Sequence, residues 1–311
     1  MQWVEIGDKK NLHDAVWVMT QMKRLLRLQA SGEVSLGAEG YLTHPNDKGF
    51  TRAITMSAWM NHPSELLGVL GAKWVSSHPP NTAKGLPRGQ AVTMLNCAET
   101  GLPLLVFDGT DLSNARTAAF ACAAIDIIYS APTTIALIGA GRVHEWQAEY
   151  IRQLWPSTEL WVYDTDDERM ERFATRFNAT CLSSWWFGCE FAEVVSVATA
   201  GAEDGWIPAG ITMNAKLWIN TSLRDVTPAF FKRFAWVVVD DFELAATGRT
   251  PYHEAYLARD LPLLKRLCDI TKPIGYPVIV NPMGLALWDV GLGYALFQDE
   301  FRVQQQRLYT P

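Results

Sequence analysis

Gly139-Ala140-Gly141 follows a run of apolar and β-branched residues at 133–138 and opens a helical pattern over 144–154. In such a place the first glycine permits a tight turn, the second lets the backbone approach a pyrophosphate, and the unpaired N–H groups of the helix start offer an anion site. Ala140, Arg142 and Val143 belong to the same cradle. Asp164 closes the next strand, 25 residues after Gly139. A carboxylate there accepts hydrogen bonds from ribose hydroxyls and repels a 2'-phosphate, so the cofactor expected is NAD. The competing reading is a purely structural turn, because a bare GxG is weak and His144 holds the place of the third glycine.

A second group is basic: Arg52, Lys73, Lys84, Arg88 and Arg116. Most Lys and Arg are solvated, which is the ordinary reading. Lys73 and Arg116 differ, since one lies in an apolar strand pattern and the other opens the most apolar helical stretch of the chain. Charges in such surroundings need a partner, and either a bound carboxylate or an internal ion pair meets the need. Polar residues also follow later strands: Thr199, then Ser222-Leu223-Arg224-Asp225, then Asp240-Asp241. Ligands of doubly wound sheets bind at the carboxyl ends of strands, so Thr199, Ser222 and Asp225 are cleft candidates. A helix N-cap is the bland alternative for Asp225, and a turn is the better reading of Asp240 and Asp241.

The elements that must hold these residues fall into two patterns. An amphipathic helix over 12–30 precedes short apolar runs at 53–56, 71–75, 91–95 and 104–107, separated by turn residues. From 117 onward helix and strand alternate: helices at 117–129, 144–154 and 167–176, strands at 133–138, 159–163, 194–198, 217–220 and 236–239, and a helical end from about 285. Alternation of that kind signals βαβ units. The fold class expected is α/β, a Rossmann-type doubly wound parallel sheet plus a mixed α+β lobe.

Composition narrows the function. With 27 Lys and Arg against 33 Asp and Glu, the net charge is −6 and there is no basic stripe, so nucleic acid is not an expected partner. Asp126 and Pro132 interrupt the longest apolar stretch, which argues against a membrane span. The mixed-charge start does not read as a signal peptide, and five cysteines with no CxxC read as reduced thiols without a metal site. A cytoplasmic protein acting on a small molecule is expected. Hydrolase and triphosphatase motifs are absent from the sequence. Thirteen tryptophans are many for this length, and packing is the default reading.

The series Gly71-Ala72-Lys73-Trp74-Val75, Asn81, Lys84-Gly85-Leu86-Pro87-Arg88, Glu99-Thr100-Gly101-Leu102-Pro103, Ala115-Arg116-Thr117-Ala118-Ala119 and Ile138-Gly139-Ala140-Gly141 resembles the ornithine cyclodeaminase and mu-crystallin family. Within it, Arg52-Ala53-Ile54-Thr55-Met56, Ser222-Leu223-Arg224-Asp225, Val239-Asp240-Asp241 and Asn281-Pro282-Met283-Gly284-Leu285-Ala286-Leu287-Trp288-Asp289 look like the N-(2-amino-2-carboxyethyl)-L-glutamate dehydrogenase branch. That branch makes L-2,3-diaminopropionate for siderophores and peptide antibiotics and also lacks the third glycine.

The resemblance implies that the mixed α+β lobe is a substrate and dimerisation domain taking 1–118 and 286–311, that the NAD-binding domain takes 119–285, and that the active site lies in the cleft between them. It also implies NAD-dependent oxidation of an amino-acid conjugate. Arg52, Lys73, Arg88 and Arg116 would bind its carboxylates, Lys73 and Asp225 would be catalytic, and a homodimer would form through the sheet lobe. A cyclodeaminase that recycles its hydride and a non-catalytic, mu-crystallin-like binding protein are the alternatives.

Overall fold

The computed structural model describes residues 2–4, 10–46, 49–61, 68–199, 205–247 and 250–309; part of the mixed-charge start, 5–9, lies outside them. The chain divides into two compact units, Met1–Arg116 with Leu285–Pro311, and Thr117–Gly284. None of the described helices is long and apolar enough to cross a membrane.

The first unit is built on a seven-stranded sheet. Its strands are β1 (Gln2–Val4), β2 (Val34–Leu36), β3 (Gly40–Asn46), β4 (Gly49–Met60), β5 (Val69–Ser77), β6 (Gly89–Cys97) and β7 (Pro103–Asp108), ordered β1-β7-β6-β5-β4-β2 with β3 also on β4. Only the β1–β7 pair is parallel. The apolar runs of the sequence are the centres of β4 to β7, each extended at both ends by residues that complete the ladder. The predicted helix over 12–30 is two helices, α1 (Lys10–His13) and α2 (Ala15–Ala30). They part at Asp14, whose Oδ1 accepts the Val16 and Trp17 N–H groups and so caps α2. The helix expected from 117 begins instead at Thr110 as α3 (Thr110–Ile128), started by Asp108 Oδ1 accepting the Thr110 N–H.

The second unit is an eight-stranded, wholly parallel sheet. Its elements are β8 (Thr134–Ile138), α4 (Arg142–Leu154), β9 (Glu159–Tyr163), α5 (Asp167–Phe177), β10 (Thr180–Cys181), α6 (Trp185–Phe191), β11 (Val194–Val197), β12 (Leu217–Asn220), β13 (Trp236–Val239), α7 (Phe242–Thr247), α8 (Pro251–Leu257), β14 (Leu263–Arg266) and β15 (Val278–Val280). The strand order β10-β9-β8-β11-β12-β15-β13-β14 winds outward to one side from β8, then returns to β11 on the other. The switch point therefore lies between β8 and β11. Strands β8, β11 and β12 are almost entirely buried, which explains their unbroken apolar runs.

The chain closes with α9 (Ala286–Leu296) and α10 (Gln298–Tyr309), which belong to the first unit. All but one residue of α9 are buried. Two glycines make that possible. A Cβ at Gly71 of β5 would stand 2.7 Å from Val290, and one at Gly291 would collide with Leu25 of α2, so sheet, α9 and α2 close on one another through bare backbone.

Candidate functional site

In the second unit, the turn after β8 is shaped by its neighbours. Gly139 has φ +107°, and a Cβ there would collide with the Ala198 carbonyl at the end of β11, so a side chain is excluded on two grounds. Gly141 is the opposite case, with nothing within 4 Å of its Cβ position. It is the N-cap of α4, offers no side chain to the first turn, and leaves open space beside the start of the helix. Asp164, at the end of β9, reaches this turn: Oδ2 accepts the Ala140 N–H at 2.7 Å and Oδ1 the Asp166 N–H at 3.0 Å. Arg142 spends its side chain at the surface on Glu145, 2.8 Å away, while Val143 is half-buried. What these two bring to the turn is main chain.

His144 fills the place of the third glycine. Its ring is fully buried, with Nδ1 against the Gly139 carbonyl and Nε2 3.2 Å from Ser196 Oγ of β11. Burial pulls its pKa down to about 4, against the Gly139 carbonyl and Asp164, which favour the charged form. A neutral imidazole thus ties turn, α4 and β11 together.

Asp225 is not a helix cap. It is 2% exposed, and the short 3-10 helix after it starts from Thr227. Asp225 Oδ1 accepts the Thr199 hydroxyl and, at 2.7 Å, the indole N–H of Trp206. The Thr199 N–H in turn donates to Ser222 Oγ at 3.4 Å. Thr199, Ser222 and Asp225 are therefore one network at the carboxyl ends of β11 and β12. Asp240, at the bend after β13, is a buried carboxylate that accepts the N–H groups of Asp241, Met283 and Gly284. Asp241 caps α7.

In the first unit the basic residues divide into two sets. Lys73 is 1% exposed and Arg116 8%, and both meet the fully buried carboxylate of Asp289 on α9. Lys73 Nζ lies 2.8 Å from Asp289 Oδ2 and Arg116 Nε 3.3 Å from the same oxygen. Lys73 also donates to Ser113 Oγ at 3.3 Å. Burial first, then the charge of Arg116, pulls the Lys73 pKa from 10.5 to about 8, with Asp289 holding it up. Arg52, of the second set, stands farther along the same sheet face as Lys73. Lys73 is in register with Met56, and Arg52 with Ser77, so the two rows are four residues apart, roughly 13 Å. Arg52 is half-buried, and Arg88 reaches the surface next to Gly89, the partner of Ser77. Desolvation and then the charge of Arg52 lower the Arg88 pKa. Lys84 is exposed.

Two residues of these networks were given no role by the sequence. Asp289 had a signal, as the single acid in an otherwise apolar helix; Trp206 had none beyond the high tryptophan count.

A glycine turn at the switch point of a parallel sheet, with a carboxylate at the end of the next strand, defines a dinucleotide-binding Rossmann protein. More narrowly, the model of the ornithine cyclodeaminase/mu-crystallin family matches residues 11–216, and the chain belongs to that family. It is 30% identical over 238 residues to the alanine dehydrogenase of Archaeoglobus fulgidus, covering 74% of this chain and 70% of that protein. It is 25% identical over 275 residues to the N-((2S)-2-amino-2-carboxyethyl)-L-glutamate dehydrogenase of Staphylococcus aureus, covering 80% of each. Among solved structures, the Delta(1)-pyrroline-2-carboxylate reductase of Thermococcus litoralis, in complex with NADH and L-proline, has the same fold. Its TM-score is 0.84 at 19% identity, over 97% of this chain and 98% of that one.

Proposed function

We propose that this protein oxidises N-(2-amino-2-carboxyethyl)-L-glutamate with NAD, giving L-2,3-diaminopropionate, 2-oxoglutarate and NADH for the assembly of a siderophore or peptide natural product. Relatives that are dehydrogenases and cyclodeaminases support an oxidoreductase. The narrower reading rests on the arrangement of charge. Lys73, Arg116 and Asp289 sum to one positive charge, a match for one carboxylate. Arg52 stands roughly 13 Å along the same face, and Arg88, which feels its charge, makes it a second cationic set. A substrate with three carboxylates can engage both sets, whereas alanine, with one, can engage only one of them.

NAD, when bound, supplies the hydride acceptor, and Gly139, Ala140, Gly141, Arg142, Val143 and Asp164 would hold it, with Thr199 and Ser222 beside them. Lys73 and Arg116 orient the carboxylate next to the reacting carbon. The glutamate Cα gives up a hydride and its nitrogen a proton, which Asp225 accepts as the C=N bond forms. Water then adds to that bond and diaminopropionate leaves as the amine. The balance is substrate, NAD+ and water to the two products, NADH and a proton. Two copies of the chain, paired through the sheet of the first unit, make up the proposed homodimer.

The test is absorbance at 340 nm with NAD and the conjugate, beside parallel samples with L-alanine and L-ornithine. A rise with the conjugate alone, with 2-oxoglutarate released, is the expected result. A rise with L-alanine instead would assign the chain to a simple amino-acid dehydrogenase. Proline and ammonia from L-ornithine without net NADH would assign it to a cyclodeaminase.

A further inference from the structure

Asp225 sits in a loop, where a carboxylate would ordinarily turn freely about its side-chain bonds. Here the loop is laced to a second segment. The Gly205 N–H donates to the Arg224 carbonyl at 2.6 Å, the Ile207 N–H to the Asp225 carbonyl at 2.8 Å, and the Thr227 N–H to the Ile207 carbonyl at 3.1 Å, with Ile207 and Val226 paired as a parallel bridge. Trp206 lies between the first two of these bonds, so its backbone is fixed on both sides. Its ring is fixed as well, since Trp185, at the start of α6, meets it edge-on with centroids 5.0 Å apart. The one donor of that ring ends 2.7 Å from Asp225 Oδ1. An indole N–H bound to a carboxylate is a charge-assisted bond, stronger than one between neutral groups and favouring the anion.

We infer that Trp206 is a positioning residue for the reaction, its indole N–H acting with the Thr199 hydroxyl to commit Oδ1 of Asp225 to the protein and so set the orientation of that carboxylate. The inference rests on Asp225 being the base of the proposed reaction. It gives a use to two of the tryptophans, with Trp185 buttressing Trp206 and Trp206 holding the acid.

The experiment pairs kinetics with a spectroscopic signature. Trp206→Phe keeps an aromatic ring for Trp185 to pack on and removes only the donor. Its kcat is expected to fall roughly ten- to a hundredfold while the substrate KM and the NAD Kd stay within about twofold. Thr199→Val, which removes the other donor, should fall similarly, and the double variant should approach Asp225→Asn. In protein labelled with 15N-tryptophan, the indole resonance that disappears in Trp206→Phe should move upfield in Asp225→Asn, where a neutral amide replaces the charged acceptor.

A full kcat in Trp206→Phe, or a resonance unmoved in Asp225→Asn, would overturn the inference while leaving the proposed substrate intact. If the conjugate is inert but L-alanine is oxidised, the substrate reading fails alone and the same variants are scored on L-alanine. Inertness toward both overturns the two together.

Discussion

Lys73 is a buried lysine whose proton is held less firmly in the folded chain than in the unfolded one. Between about pH 8 and 10.5 the unfolded state binds more protons, so the contribution of Lys73 to stability rises with pH across that window. Below pH 8 the penalty for burying the ion is present in full. Lys73→Met removes that penalty and also one of the two cations on buried Asp289, which Arg116 alone then holds, and is expected to abolish turnover. Urea unfolding of both proteins at pH 7 and 9.5 checks the linkage, because the parent should gain stability relative to the variant at the higher pH. If the charged lysine holds the substrate, kcat/KM falls above about pH 8, and Lys73→Arg carries that limb to higher pH. A limb that stays in place belongs to the substrate amine. Arg116→Ala should abolish turnover with NAD affinity nearly unchanged, measured by calorimetry, and equal loss of both would refute its assignment to the substrate. That Lys73 and Arg116 need a partner was legible, because apolar sequence neighbours do correspond to burial. The identity of that partner was not, since Asp289 lies 173 positions beyond Arg116 and only the packing of α9 brings it there.

The elements divide in the same way. β9, β12 and β13 have the bounds read from the sequence; β12 and β13 are covered on both faces along nearly their whole length, whereas β9 starts at exposed Glu159 and alternates. The first seven residues of α3 were not legible, since they include Asp111, Ser113 and Asn114, and nothing local reveals that Asp108 starts the helix. The glycine turn was legible as a tight turn between strand and helix, whereas the role of His144 depends on Ser196, a strand away. The two glycines separate the structural turn from the dinucleotide site. Gly139→Ala meets the Ala198 carbonyl and a strained φ, and should lose roughly 1–3 kcal/mol of stability. Gly141→Ala meets nothing, so its melting temperature should match the parent. Its added methyl nonetheless stands where a pyrophosphate would approach, and NAD affinity by calorimetry should drop about tenfold or more. Unchanged affinity in Gly141→Ala would return the turn to a structural role.

At the scale of the whole molecule, the first sheet has a second face. Trp74 points away from Lys73 and is 48% exposed, beside Val92 at 41%, its partner in register. An apolar strand pair left open in this way fits the proposed pairing of two chains. Sedimentation should give about twice 34.8 kDa, and Trp74→Lys should bring it down to a single chain. A parent that sediments as one chain would remove the dimer.

The discontinuity of that first unit has a consequence in time. Lys73 and Arg116 leave the ribosome long before Asp289, and at ordinary rates of synthesis the 173 residues added from Thr117 to Asp289 take on the order of ten to thirty seconds. During that interval the whole of Thr117–Gly284 has emerged and can complete its sheet, while the unit that began first still lacks the helix that neutralises its interior. The nascent chain is thus assembled from the middle outward, and α9, made after both sheets, is the helix that seals the first-made one.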